Sequence, residues 1–412
     1  MLRDYFRGVG RFTPAAKLFL FGQFLAGISG AALWVLRNLF LEASGMSKAD
    51  IGHTLSAAAL GILLVGVPLS FFMDRGGLKW YLIAGVLAQG VGLVITALWP
   101  HSGPVQVAAF IAGAGNTLLG VGTSPFYMRH STADERPYLF GVGNALGPLA
   151  GLVGTVLIWA LAHWRGEGLT AQREMLYISA ATAVIAAFVF LLIRDEARPE
   201  KHEDKQEVDV RQAMKLCLPE FLIGLGAGLT IPFINLYFSG RFGRGPGAIG
   251  AIFSYAQVLT FFAFLAAPVL GRKFGGVRTV VACQLLSIPF FFVMAFTLDP
   301  VIAIIGFLGR HALMNMAGPV ASNFAMEVVP ARQRAMTNGL KTVAWNGAWA
   351  VSTSVGGWMT THTKFVVDGF TVMMLATIGL YLVGSVVYFL FWRKAKVMLP
   401  EGLAPEAVPA AK

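Results

Sequence analysis

Charged residues are what this sequence has least of. Asp, Glu, Lys and Arg make up only 13% of its 412 residues, whereas 56% are hydrophobic. So few polar groups cannot cover a soluble globule of this length, which excludes a water-soluble domain and indicates an integral membrane protein. Cysteine is equally scarce, and Cys217 and Cys283 both fall at or inside apolar segments. Two such thiols supply neither a disulfide framework nor a metal site, so we expect no metal and no cofactor.

Acidic residues are also fewer than basic ones, 21 against 32, which gives a net charge of +11. Such a balance is typical of nucleic-acid binding, but the basic residues lie in loops between apolar runs, where orientation in a membrane explains them. The sequence also lacks a Ser-His-Asp arrangement, an HExxH motif, a metal cluster and a phosphate-binding loop. We therefore expect neither a nucleic-acid partner nor an enzyme.

Long apolar runs, by contrast, are abundant. A bilayer core about 30 Å thick needs roughly 20 apolar residues per helix, and that length fits the chain twelve times. The predicted spans are residues 18–40, 51–73, 80–99, 104–127, 138–163, 175–193, 216–239, 246–270, 277–298, 301–328, 337–361 and 367–392. The predicted fold is therefore an all-α integral membrane protein with twelve transmembrane helices.

The distribution of Lys and Arg predicts the orientation of these spans. If the N-terminus is cytoplasmic, the inner segments hold 23 basic residues and the outer loops hold 6. This asymmetry predicts that both termini are cytoplasmic, in a multi-pass protein of the plasma (inner) membrane. The predicted organisation is an N-terminal segment (1–17), a six-helix bundle (18–193), a charged cytoplasmic linker (194–215), a second six-helix bundle (216–392) and a disordered tail (393–412).

The second half of the chain repeats the first at a constant offset of 198 residues. No gap is needed, so the two halves are expected to share one structure. The matching pairs include Phe40 and Phe238, Ile51 and Ile249, Gly52 and Gly250, Gly77 and Gly275, Phe126 and Phe324, Met128 and Met326, and Arg136 and Arg334.

A polar break follows the second span and carries Asp74, Arg75, Gly77 and Lys79. Such residues cannot lie in hydrocarbon, so they turn the chain in water. With two six-helix halves and a charged linker, this loop resembles the signature of the major facilitator superfamily. The resemblance implies a substrate cavity between the halves that opens alternately to each side, with the Asp74 loop as a gate element. The alternative is a plain cytoplasmic turn.

The repeat also serves as an internal control, because polar residues that differ between the halves are better candidates for function. Arg310 and His311 match Ala112 and Gly113. Arg310 lies close to the bilayer centre, where an uncompensated cation costs about 3 kcal/mol, and every carboxylate falls near a helix end. We expect Arg310 to face the cavity and to bind the substrate. The alternative is a structural arginine bonded to backbone carbonyls and to amides such as Asn116 or Asn315.

Further departures from the repeat lie in the eleventh span. Lys341 matches Gly143 and could face the cavity or reach the cytoplasmic surface. Trp345 and Trp349, with Asn346 between them, form an aromatic wall for a ligand or pack against the eighth helix. His311 is expected to be a neutral interhelical hydrogen-bonding group, with proton coupling as the alternative. Arg37 lies near the outer interface, where its side chain is expected to extend to the surface.

The fifth span carries Gly143-x-x-x-Gly147-Pro148-x-x-Gly151, which resembles the antiporter motif of drug-exporting facilitators. However, the helix 4 arginine of those exporters is missing from residues 111–116, and no membrane-embedded carboxylate is expected. We therefore predict a monomeric secondary transporter in the lipid bilayer that exports a small organic solute, anionic or amphipathic, by alternating access. The alternatives are a multidrug efflux antiporter coupled to protons and, third, facilitated nutrient uptake.

Overall fold

The computed structural model describes residues 12–70, 77–132, 135–194, 210–330, 333–362 and 368–395. This part of the chain is almost entirely helical, as a bilayer requires, because a helix satisfies its own backbone polar groups. Short polar side chains begin several helices. Thr13 accepts a hydrogen bond from the Ala16 amide at 3.2 Å, and Asp368 accepts one from the Thr371 amide at 2.8 Å. The long apolar runs therefore start at N-caps that face the polar edges of the molecule.

Twelve long helical segments make up the described part of the chain. The first six are α1 (Pro14–Ala43), α2 (Lys48–Gly61, continued by a π-helical turn Ile62–Gly66 and by Val67–Ser70), α3 (Leu78–Leu98), α4 (Ser102–Arg129), α5 (Arg136–Arg165) and α6 (Leu169–Leu191). The last six are α7 (Val210–Thr230, continued by a 3₁₀ turn Ile231–Phe233 and by Ile234–Phe242), α8 (Pro246–Phe274), α9 (Gly276–Phe296), α10 (Pro300–Val328), α11 (Arg334–His362) and α12 (Gly369–Trp392).

Eleven of these segments are long and apolar enough to cross a membrane. The segment that falls short, within the described residues, is α11, although it has 29 residues. The chain is thus a multi-pass helical membrane protein. The twelfth span, the domain limits and the side on which the termini lie stay predictions.

The two halves use the same helix contacts. In the first half α1 packs against α5 and α6, α3 against α4 and α6, and α2 against α4. The second half repeats each pair six helices later, with α7 against α11 and α12, α9 against α10 and α12, and α8 against α10. The sequence repeat is therefore also a repeat of the packing.

The halves meet at one end of the molecule, away from the start of α1 and the end of α12. There α2 crosses α11 and α5 crosses α8. The Asn38 side chain donates to the Pro232 carbonyl at 2.7 Å, and Asn235 donates to the Val35 carbonyl at 2.8 Å. Because these bonds join α1 to α7, this end of the molecule is closed.

One glycine pair of the repeat has a backbone reason. Gly77 and Gly275 precede α3 and α9 with φ angles of +70° and +85°. Side chains other than glycine rarely adopt these angles, so both halves need glycine where the chain turns into its third helix. Asp74 and Arg75, which belong to the predicted gate loop, lie outside the described residues.

Candidate functional site

A central cavity of about 670 Å³ lies between the two halves. Its wall follows α1 from Phe19 to Val35, and the other half contributes residues of α7, α8, α10, α11 and α12. Small residues keep α1 from filling this space, because Ala26, Gly27 and Gly30 all face it. The volume falls in the range of pockets that hold small organic molecules.

Arg310 lies on the wall of this cavity and is only 4% exposed. Its Nη2 atom donates to the Tyr381 hydroxyl at 3.1 Å, and its guanidinium lies 5.0 Å from the centre of the Phe291 ring. The Nε atom has no hydrogen-bond partner among the described residues. The alternative bonds to Asn116 or Asn315 are absent among the described residues, where the hydroxyl of Tyr381 in α12 is the hydrogen-bond partner. Neither Tyr381 nor Phe291 neutralises the cation.

His311 and the two asparagines also line the central cavity. The His311 ring lies 5.3 Å from the Phe307 ring, one turn away on the same helix. In the ranges that the structure describes, neither ring nitrogen makes a hydrogen bond, so the expected interhelical hydrogen bond is wrong. Asn315 donates to the His311 carbonyl at 2.8 Å, while Asn116 presents its side chain from α4.

Three tryptophans form one wall of the cavity. The ring centres of Trp345 and Trp349 are 5.9 Å apart, and Trp34 of α1 meets Trp349 edge to face at 5.8 Å. Trp349 thus contacts α1, and both tryptophans of α11 line the central cavity. Trp34 is not among the predicted site residues. Its counterpart in the repeat is Pro232, and this difference between the halves is as large as that between Lys341 and Gly143.

Lys341 does not line the central cavity. It lies in a side pocket of about 570 Å³, where its Nζ atom is 3.8 Å from Glu220 Oε2. Glu220 lies ten residues after the start of α7, which begins at Val210 within the predicted linker. Asn346 lines the same pocket and donates to the Thr342 carbonyl at 2.9 Å. The α7–α11 interface therefore contains an ion pair.

The small residues of the α5 motif allow close contact with two different helices. A side chain at Gly143 would collide with the Tyr127 hydroxyl of α4, and one at Gly151 would meet Gln257 of α8 at 2.9 Å. Gly147 faces the central cavity, and a Cβ atom added at this residue would have no atom within 4 Å. Pro148 is buried within the helix. The motif thus lets α5 approach both α4 and α8.

The family model of the Major Facilitator Superfamily matches the chain twice, over residues 19–219 and 216–410. The chain belongs to the major facilitator superfamily. Its repeat, its paired helix contacts and its central cavity are those of a facilitator transporter. No curated protein matches the facilitator in sequence.

Solved structures resemble this facilitator in fold. A mutant of the nucleoside transporter NupG has a TM-score of 0.76 at 15% identity, with 92% of this chain and 100% of that chain covered. An occupied, inward-facing structure of a bacterial homologue of the human lysosomal transporter Spinster has a TM-score of 0.74 at 15% identity, with 92% and 96% covered. At this identity the likeness concerns the fold alone.

The described part of the facilitator's gate loop contacts its own half. The Lys79 Nζ atom donates to the Leu191 carbonyl at 2.6 Å and to the Ile193 carbonyl at 2.8 Å. Lys79 therefore binds the last carbonyls of α6, where a cation also interacts favourably with the helix dipole. The gating role of Asp74, Arg75, Gly77 and Lys79 stays a prediction.

Arg37 contradicts its expectation in this facilitator. Only 7% of it is exposed, and it lines a second chamber of about 690 Å³ instead of extending to the outer surface. The reason is the closed end of the molecule, where α7 covers the last turns of α1 through Asn38 and Asn235. The hydropathy of α1 alone cannot predict that a helix of the other half buries Arg37.

Proposed function

We propose that this facilitator moves a small organic solute, anionic or amphipathic, through the central cavity by alternating access. The observation that carries the proposal is Arg310, a buried cation on the cavity wall whose described partners, Tyr381 and Phe291, are both neutral. Among the described residues, no Asp or Glu lines the same cavity. A cation in such surroundings is costly unless a ligand compensates it, so an anionic group is the complementary solute chemistry.

The polar character of α11 fits its inclusion as the twelfth span. Asn338, Lys341, Thr342 and Asn346 all line pockets within the protein, so this helix needs less apolar surface than its neighbours. We propose twelve spans with both termini cytoplasmic, supported by the bias of Lys and Arg. In this orientation the closed end is extracellular, the protein is a monomer of the inner membrane, and the α5 motif favours export.

The proposal predicts that Arg310→Gln abolishes transport. A thermal-shift screen of organic anions and cationic drugs first identifies the compound that best stabilises the wild-type protein, which we expect to be an anion. Counterflow of that compound in proteoliposomes should then fall at least about thirtyfold in the variant, because removing one partner of a buried charge pair costs about 2–5 kcal/mol. Gel filtration and thermal unfolding establish that the variant is folded.

Tyr381→Phe is the matched control, because it removes the hydroxyl that holds Arg310 and keeps the ring. If Arg310 binds the solute, this variant should retain clearly more counterflow than Arg310→Gln, since it removes one hydrogen bond and keeps the cation in the cavity wall. Equal losses in both variants would mean that Arg310 is a structural residue. Stabilisation by cationic drugs alone would contradict an anionic solute.

The second candidate is multidrug efflux coupled to protons, and the Glu220–Lys341 pair is what favours it. A carboxylate within a membrane helix is the group that such coupling requires. We expect that a pH gradient across proteoliposomes drives little accumulation, because Glu220 is paired with Lys341 at 3.8 Å and does not line the central cavity. Strong uphill transport that Glu220→Gln abolishes would establish the second candidate instead.

A further inference from the structure

The second chamber lies beside the central cavity and shares part of its wall. Trp34, Asn116, Trp345 and Trp349 line both spaces. The rest of its wall comes from α1, α2, α3, α4, α7 and α11. Of its described lining residues, Arg37 is the one that carries a charge, and the others are apolar or neutral. The chamber is therefore a positively charged space with an aromatic wall.

Arg37 differs from the buried Arg310 and the half-buried Arg241 in having no described partner. Arg310 has Tyr381 and Phe291, and Arg241 lies 3.3 Å from the carboxylate of Asp368. For Arg37, by contrast, no hydrogen bond, ion pair or aromatic ring is present among the described residues, and its Nε atom is fully buried. A buried charge without a partner is unfavourable in a folded protein. An anionic group that binds beside Arg37 would therefore be stabilised by a charge that no described residue already compensates.

The position of Arg37 is fixed by the residues next to it. Asn38 binds the Pro232 carbonyl, and Asn235 binds the Val35 carbonyl, so α1 is tied to α7 on both sides of the arginine. The internal repeat sharpens this contrast, because Arg37 matches Asn235 at the offset of 198 residues. The second half uses this position for a bond between helices, whereas the first half uses it for a cation that faces a chamber.

The opposite wall of the chamber includes Ile62, where α2 changes into a π-helical turn over Ile62–Gly66. Such turns are rare, and they are found most often at functional sites. Gly66, the last residue of the turn, approaches Thr117 of α4 so closely that a side chain there would collide with it. The turn therefore shapes the chamber between α2 and α4.

We propose that the second chamber is an anion site, in which Arg37 binds the carboxylate of a planar aromatic acid and the ring of that acid lies against Trp34, Trp345 and Trp349. A guanidinium matches a carboxylate with two parallel hydrogen bonds, and tryptophan faces accept a flat ring. This inference deepens the proposed function by naming the class of solute, and it adds a second cation to the one at Arg310.

Binding of benzoate to the purified protein in detergent, with gluconate as the only other anion, tests this site. Calorimetry compares benzoate with its neutral analogue benzamide, with the non-aromatic cyclohexanecarboxylate and with chloride. We expect benzoate to bind wild type, and to bind Arg37→Gln at least about tenfold more weakly, because a charged hydrogen bond is lost. Arg37→Lys should keep part of the affinity. Arg244→Gln, which removes an exposed arginine at the same end, should change nothing.

Two further measurements separate this site from the central cavity and from a structural role. In Arg310→Gln, benzoate should still bind, since the chamber keeps its own cation. In the absence of ligand, Arg37→Gln should unfold at a higher temperature than wild type, because an uncompensated buried charge has been removed. A purely structural arginine would give the opposite shift.

Three results would overturn the inference. They are equal benzoate affinities in wild type and Arg37→Gln, binding of chloride without binding of benzoate, and loss of benzoate binding in Arg310→Gln alone. The last result would assign the anion to the central cavity and leave the proposed function intact. If instead Arg310→Gln transports normally while Arg37→Gln loses benzoate, the proposed function fails and the chamber remains an anion site.

Discussion

The helix pairs α2–α11 and α5–α8 hold the closed end together in the same way, and the internal repeat relates each residue of one to a residue of the other. In both pairs a serine hydroxyl meets a threonine hydroxyl, at 2.9 Å in α2–α11 and 2.8 Å in α5–α8. In both, a glycine one turn before the serine lies against the backbone of the threonine. These residues are Gly52, Ser56 and Thr353 in the first pair, and Gly250, Ser254 and Thr155 in the second.

The two halves differ in residues of the cavity walls, although their α2–α11 and α5–α8 contacts are alike. Arg37 of the first half corresponds to Asn235 of the second, and Ala112 of the first corresponds to Arg310 of the second. All four residues are buried. The repeat therefore preserves the α2–α11 and α5–α8 contacts, and it varies residues such as Arg37 and Arg310 that face the internal spaces. Among the described residues, the first half contributes the buried cation Arg37 from α1, and the second half contributes Arg310 from α10.

The largest expected effect comes from breaking the symmetric contacts with a side chain. A Cβ atom at Gly52 would lie 2.6 Å from the Thr353 carbonyl oxygen, and one at Gly250 would lie 3.0 Å from the Thr155 carbonyl oxygen. Since backbone cannot move aside cheaply, Gly52→Val should cost the closed state about 1–3 kcal/mol. That cost shifts the balance between closed and open states by roughly 5- to 150-fold. Gly250→Val should have a smaller effect in the same direction.

Spin labels at Trp164→Cys and Leu298→Cys, in a background without Cys217 and Cys283, measure the separation of the halves at the closed end. The distance distribution should lengthen in Gly52→Val and, less, in Gly250→Val. Gly347→Val in α11 is the matched control, because nothing lies within 4 Å of its Cβ position. An unchanged distribution in both variants, or an equal change in the control, would show that these glycines do not set the closed state.

The sequence alone predicts the family and the helices, because apolar length and the repeat offset are local properties of the chain. The family match and the paired helix contacts confirm them. Depth along α10 also places Arg310 inside the membrane without any knowledge of its neighbours. Its partner Tyr381 lies 71 residues further on, in a helix whose composition gives no sign of this contact.

Contacts that depend on the other half were beyond the sequence for a physical reason. Arg37 is six residues from the end of α1, a position from which an arginine ordinarily reaches the membrane surface. Its burial depends on α7, which crosses it through Asn38 and Asn235. The repeat contained a usable signal, because Arg37 and Trp34 both differ strongly from their mates.

A smaller effect is expected when the two amide bonds between α1 and α7 are removed, and this sharpens the contrast between Asn235 and Arg37. Asn38→Ala and Asn235→Ala each delete one buried hydrogen bond across the halves, worth about 0.5–1.5 kcal/mol, so each should shift the closed state by roughly 2- to 12-fold. The same spin-label pair measures this shift.

Asn338→Ala is the control, because its exposed amide contacts Met326 within the second half. If Arg37→Ala, which removes no described bond between helices, lengthened the distance as much as Asn235→Ala, the two repeat positions would share a structural role and the assignment of Arg37 to a ligand would fall.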